Sequence, residues 1–177
     1  MNDLLRKLQY ANEPRVLALN APDDFAPALE ALREVASVDL EAQPGTRYGF
    51  VIGFVTRLEQ VERIAGMLEA TLEAGDAKLW LCYPKGSSKR YRCEFNRDTG
   101  WASLGQVGFE TVRQIAIDED WSGLRFRRTE FVKSMKRDSS RAMSAGGISR
   151  TRKEARARQS AVLSLEERKG REVCHEP

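Results

Sequence analysis

Eight residues between two apolar runs, Lys85-Gly86-Ser87-Ser88-Lys89-Arg90-Tyr91-Arg92, bring four cations, two hydroxyls and a glycine into one short loop. Side chains of this kind suit a phosphate, a carboxylate or a nucleic-acid backbone, because charged donors and hydroxyls converge on anionic oxygens. The stretch is not a P-loop: it lacks a second glycine and the Gly-Lys-Ser/Thr ending. Lys85, Ser87, Ser88, Lys89, Arg90 and Arg92 are therefore the candidate anion contacts, set against the plain reading of a solvated loop. A second candidate is the turn Asp118-Glu119-Asp120-Trp121. Three consecutive carboxylates cannot all face one point from an extended backbone, so the turn reads better as an electrostatic partner of nearby arginines than as a metal site. Asn20, Asp23, Asp118, Asp120 and Trp121 are the candidate walls of a pocket.

The familiar nucleophilic kits are missing. The single histidine, His175, is the third residue from the end, so no Ser-His or Cys-His pair is expected in the body of the chain. Cys82 lies in an apolar run and reads as a core residue, while Cys93 and Cys174 complete no metal-ligand or disulfide pattern. An odd cysteine count and the lack of a long apolar run point to a cytoplasmic protein with no membrane contact.

These residues must be held by elements that the hydrophobic pattern outlines. RVLALN is a short buried strand, followed by a helix with Phe25, Leu29, Leu32 and Val35 on one face. ASVDL is a second strand. YGFVIGFV is apolar on both alternating faces, as a central parallel strand covered on both sides must be. Thr56 and Glu59 have capping-box spacing ahead of a helix that carries Leu58, Val61, Ile64, Ala65, Leu68 and Leu72. KLWLCY, a helix over Asp98 to Val107, TVRQIAID and the alternating LRFRRTEF complete the order. Only Glu41 to Arg47 separates the second strand from the third, so that crossing is expected to be extended rather than helical.

The prediction is an α/β fold: an open, mainly parallel Rossmann-like sheet of about six strands with a C-terminal antiparallel hairpin and a disordered basic tail. Charge draws the boundary. Lys and Arg outnumber Asp and Glu by 12 to 6 beyond residue 132 but fall short by 17 to 20 before it. Residues 1–132 are thus read as the folded domain and 133–177 as a basic tail, disordered or partly helical, which lacks Phe, Tyr and Trp. Within it Arg150, Arg152, Lys153, Arg156 and Arg158 could neutralise phosphates of a nucleic acid, or meet a protein partner.

From Tyr48 to Arg128 this arrangement resembles the C-terminal half of Rossmann-like methyltransferases that use S-adenosylmethionine. The segments YGFVIGFV, LEAGDAKLWLCYPK and GFETVRQIAIDEDWSGLRFRR carry the likeness. The chain departs from that pattern at LNAPDDF, where a glycine-rich turn would let the backbone approach the cofactor. Asp39 or Glu41 is in place for the ribose-binding acid that the resemblance implies. A helix and strand after the second strand are absent. The phrases YPKGSSKRY, NRDTGW and GFETVRQIAIDEDWSGLRFR also resemble a family of small bacterial proteins of unknown function, which implies a shared fold and no activity. The sequence on its own favours a binding or regulatory module for an anionic or phosphorylated ligand at the strand carboxyl edge, leaning away from an enzyme and with no cofactor specified. The alternatives are a degenerate methyltransferase-like enzyme that binds S-adenosylmethionine or a nucleotide, and nucleic-acid binding through the tail.

Overall fold

The computed structural model describes residues 3–132 and 142–157, and the expectations placed on Arg158, Cys174 and His175 lie outside them. In chain order the elements are α1 (Asp3–Lys7), β1 (Arg15–Leu19), α2 (Ala26–Arg33) behind a 3-10 turn at Asp23–Phe25, β2 (Ser37–Asp39), β3 (Phe50–Phe54), α3 (Leu58–Thr71), β4 (Lys78–Pro84), α4 (Ala102–Gln106), β5 (Phe109–Ala116) and β6 (Trp121–Arg128). A further helix, α5, covers 145–157. The strands form one sheet in the order β2-β1-β3-β4-β6-β5. β1 to β4 run parallel, and β6 runs antiparallel between β4 and β5.

β3 is buried along its whole length, as its doubly apolar sequence requires. One of its faces packs Val51 with Leu79, Leu124, Phe126 and the α3 stripe Val61, Ile64, Ala65 and Leu68. The other packs Phe50, Ile52 and Phe54 with Trp80, Leu29 and Leu32. The chain passes from β2 over β1 to β3 without a helix, and Tyr48 bridges to Leu72 on the way.

Several boundaries differ from those read in the sequence. Val35 is 54% exposed because α2 ends at Arg33, and Leu58 is 42% exposed because it opens α3 rather than lying on its buried stripe. Glu59 does not close the turn before α3. Gln60 does: its Oε1 accepts from Thr56 N at 2.8 Å and from Arg57 N at 3.1 Å. The helix expected over Asp98 to Val107 begins only at Ala102, since Thr99 Oγ1 accepts from Asn96 N and Asn96 Oδ1 from Asp98 N, which holds 96–99 in a turn instead.

The segment beyond the charge boundary is tied to the sheet by one buried carboxylate. Glu110 on β5 is 0% exposed and accepts from Met143 N at 2.9 Å, Ser144 N at 2.7 Å and Ser144 Oγ at 2.7 Å. Ser144 Oγ in turn accepts from Gly147 N at 2.9 Å, so it caps α5. A methyl group at Gly147 would strike the Glu110 carboxylate, and one at Gly105 would strike the Met143 carbonyl. Both sites need glycine for close approach. Replacing Glu110 by Ala should free Met143 and Ser144 at a cost of about 1.5–3 kcal/mol, the range for hydrogen bonds to a charged group. Hydrogen exchange checks it: amides of 144–151 should lose protection while those of β3 and β4 keep theirs.

Candidate functional site

The carboxyl end of the sheet is assembled by β6. Because it runs antiparallel to β4, its first residue, Trp121, pairs with the last residue of β4, Pro84. The acidic turn therefore meets the basic loop directly. Lys85 N donates to Asp120 O at 2.7 Å, and Ser88 Oγ donates to Asp120 Oδ1 at 2.7 Å. The same Ser88 oxygen accepts from Arg90 N at 3.3 Å and Tyr91 N at 3.1 Å, which curls the loop back over the turn. Arg90 reaches Asp24 Oδ2 at 2.5 Å and Asp120 Oδ2 at 3.5 Å, and Tyr91 OH donates to Asp24 at 3.3 Å. Asp24 holds the Arg90 guanidinium above its ordinary pKa.

Below this polar layer runs an aromatic row. Trp121 is 3% exposed and lies edge-on to Phe54 at 5.1 Å and tilted to Tyr91 at 4.9 Å, while Phe54 meets Phe25 at 4.8 Å. Its indole nitrogen is buried with no acceptor among the described residues. Trp121 is an anchor for the rim rather than an open stacking surface.

Of the residues expected to form a site, the structure thus joins Lys85, Ser88, Arg90, Asp120 and Trp121. Lys85 Nζ donates to the Asp118 carbonyl at 2.5 Å, whereas the Asp118 carboxylate is turned onto its own backbone, accepting from Asp120 N and Trp121 N at 2.8 and 2.7 Å. Ser87, Lys89 and Arg92 are exposed, and among the described residues Lys89 and Arg92 form no ion pair. Asp23 is exposed beside the network, and its neighbour Asp24, which sequence reasoning passed over, makes the contact. Arg90 lies 66 residues from Asp24, so no local spacing announces that pair. In α5, Arg150 bonds inward to Thr129 O at 3.1 Å and to Val132 O, while Arg152, Lys153 and Arg156 are exposed.

A second locus is the gap between β1 and β3, where the strand order reverses. Asn20 closes β1 with φ of 52°, a left-handed conformation that asparagine tolerates better than most residues. Its Nδ2 donates to Phe54 O at 3.3 Å, spanning the gap. On the other side of the edge Glu94 pins the β4–α4 connection to the end of β3, through Glu94 N to Thr56 O at 3.0 Å and Leu58 N to Glu94 Oε2 at 2.9 Å. Asp39 is committed: its Oδ2 accepts from Arg15 Nε at 2.6 Å and Tyr48 OH at 2.7 Å. The Arg15 bond, and then that of Tyr48, hold its carboxyl below the usual range. Glu41 is exposed and forms no ion pair among the described residues. Cys82, beside these strands, is fully buried, which pushes its thiol up and removes it as a nucleophile.

No protein-family model and no curated protein matches the sequence. Solved structures do. A putative type 11 methyltransferase from Sulfolobus solfataricus is 11% identical, with a TM-score of 0.47 over 77% of this chain and 93% of that one. A methyltransferase dependent on S-adenosylmethionine from Aquifex aeolicus is 12% identical, with a TM-score of 0.44 over 71% and 89%. The fibrillarin pre-rRNA processing protein of Methanococcus jannaschii is 14% identical, with a TM-score of 0.44 over 66% and 67%. The parallel order β2-β1-β3-β4 makes the fold Rossmann-like, and the chain is distantly similar to structures named as methyltransferases. The reading as a non-enzymatic binding or regulatory module, and the lean away from catalysis, are corrected by these neighbours, which include several enzymes. Among the described residues no helix is long and apolar enough to cross a membrane, and no metal-binding cluster occurs.

Two consequences are measurable. Ser88→Ala should loosen the rim at a cost of about 1 kcal/mol, read as faster exchange at the Arg90 and Tyr91 amides with the sheet unchanged. Asp39→Asn should cost about 1 kcal/mol at neutral pH. Because the folded pKa of Asp39 is depressed, that contribution is complete above its unfolded value of about 3.9 and is lost as pH falls through the lower folded value. Melting curves of the two proteins should therefore converge in acid.

Proposed function

We propose that the chain is a reduced methyltransferase-like enzyme, cytoplasmic, whose cofactor is S-adenosylmethionine or a related nucleotide held across the carboxyl ends of β1 and β3. The observation that carries this reading is the strand order β2-β1-β3-β4-β6-β5. After β1 the chain crosses to one side and after β3 to the other, so the loops at their ends diverge, and ligands of open α/β sheets lie at such a reversal. The loop from Lys85 to Arg92, with Asp118, Asp120 and Trp121, walls the same end of the sheet.

Glu41 is the residue suited to the hydroxyls of a ribose. It follows β2 directly, is exposed and is free of ion pairs among the described residues, whereas Asp39 is already bonded to Arg15 and Tyr48. When bound, S-adenosylmethionine supplies an electrophilic methyl group. The turn after β1 does not suit an anionic portion of the cofactor. Asn20 bridges the gap to Phe54, and Asp23 and Asp24 put negative charge at the head of α2, where an incoming carboxylate or phosphate would need donors. We therefore assign Glu41 to hydroxyl recognition and Asn20 to a bridge that must give way, and no transfer step is derived.

Thermal melting with S-adenosylmethionine, its demethylated product and adenosine nucleotides tests the proposal. A ligand at 100 times its Kd adds about 2.7 kcal/mol, a rise of roughly 5–10 °C for a chain of this size. Asn20→Gly keeps the left-handed backbone and removes the bridge, so it should bind more tightly, and Glu41→Gln more weakly. Flat melting curves with every one of these ligands, in the native protein and in Asn20→Gly alike, would overturn the reading.

A further inference from the structure

A β-bulge in the outer strand sets two arginines opposite each other. Thr111 pairs with Phe126 and Arg113 with Arg125, so Val112 is the extra residue, and Arg113 is turned onto the sheet face that carries Arg125 and Trp80. Arg127, two residues further along β6, shares that face. Like charges directly opposite across a ladder repel. The place lies away from the carboxyl edge of the sheet: β6 starts there with Trp121, and Arg125 stands roughly 13 Å further along it, at about 3.3 Å per residue. It does not depend on the proposed cofactor position.

Arg125 is 9% exposed, and its guanidinium has no counter-ion of its own. Its Nη1 donates to the neutral carboxamide Oε1 of Gln9, and its buried Nε meets no acceptor among the described residues. Asp76 Oδ1 is 4.0 Å from Arg125 Nη2, but both Asp76 oxygens are taken in a fork by Arg127, whose Nε donates to Oδ1 at 2.6 Å and whose Nη2 donates to Oδ2. Glu13, the other carboxylate that acts on Arg125, is joined to Lys78. Burial holds the Arg125 pKa below its ordinary value, Arg127 and Arg113 add to that effect, and Asp76 and Glu13 oppose it. Arg113 is exposed and forms no ion pair among the described residues. A buried cation so poorly matched is costly, and an anion between the two arginines would turn their repulsion into attraction.

Gln9 marks where that anion would stand. It follows α1 in a left-handed conformation, with φ of 59°, and Trp80 Nε1 fixes the turn by donating to Leu8 O at 2.9 Å. The backbone is pinned there, while the half-buried carboxamide is an acceptor that a better one can replace. One guanidinium fork satisfies a carboxylate, whereas two guanidiniums on facing residues suit the several oxygens and double charge of a phosphate. We propose that Arg113 and Arg125 form a binding site for phosphate, free or as the monoester of a small molecule, with a phosphate oxygen taking the place of Gln9 Oε1.

Nuclear magnetic resonance on the full chain tests it, following the Arg125 Nε–H and the Gln9 and Arg113 backbone amides as inorganic phosphate or glycerol phosphate is added at constant ionic strength. Saturable shifts are expected, the tighter of the two naming the free or the esterified form. Acetate should bind at least tenfold more weakly, and chloride should give no saturation. Arg113→Gln changes an exposed side chain, so the β3 amide shifts should stay in place while phosphate binds at least tenfold more weakly. Gln9→Glu supplies an internal carboxylate, so it should raise the melting temperature and abolish phosphate binding. The proposal fails if no shift saturates with either phosphate, if chloride reproduces the shifts, if the perturbation falls on Ser88 and Tyr91 instead, or if both variants bind phosphate as tightly as the native chain.

Discussion

The placement of one antiparallel strand governs the functional end of this protein. With β6 inserted between β4 and β5, Trp121 stands opposite Pro84 and the turn before it is carried to the carboxyl edge of the parallel strands. The backbone bond from Lys85 to Asp120 and the Ser88 side-chain bond to the same residue are consequences of that single pairing. So is the aromatic row beneath them, since Trp121 enters the layer at the height of Phe54.

That geometry changes the meaning of the charge. A run of four cations in sequence looks like an anion receptor because nothing in the run itself balances it. In space Arg90 is met by Asp24 and Asp120, and Ser88 is spent on a carboxylate and two backbone amides. Half of the apparent receptor is internal structure.

The mainly parallel sheet with its closing hairpin, the helix-free crossing from β2 to β3 and the burial of β3 were legible, because each follows from local apolar runs and from the reach of seven residues. The convergence of the basic loop and acidic turn was legible as an address at strand ends. Three things were not. Gln60 displaced Glu59 as the helix-start acceptor because the side chain, one residue later, reaches back to Thr56 and Arg57. Asp24 was passed over because its partners lie 66 and 67 residues away. Glu41 and Asp39 were indistinguishable until Arg15 and Tyr48 were seen to occupy Asp39.

The expected boundary at residue 132 is crossed by one long-range contact of the same kind. Composition separates a mildly acidic body from a basic extension, and composition knows nothing of single buried groups. Glu110 sits inside the acidic body at 0% exposure, and the donors that satisfy it come from Met143 and Ser144, beyond the boundary. A buried carboxylate without donors costs several kcal/mol, a large part of the whole stability of a small domain. Cutting the chain at the compositional edge would remove both the donors and the cover of that carboxylate and open this part of β5 to solvent. Residues 142–157 belong physically to the sheet that the rest of the chain builds, whatever their charge, and Gly105 and Gly147 keep the two surfaces close enough for that one carboxylate to hold them.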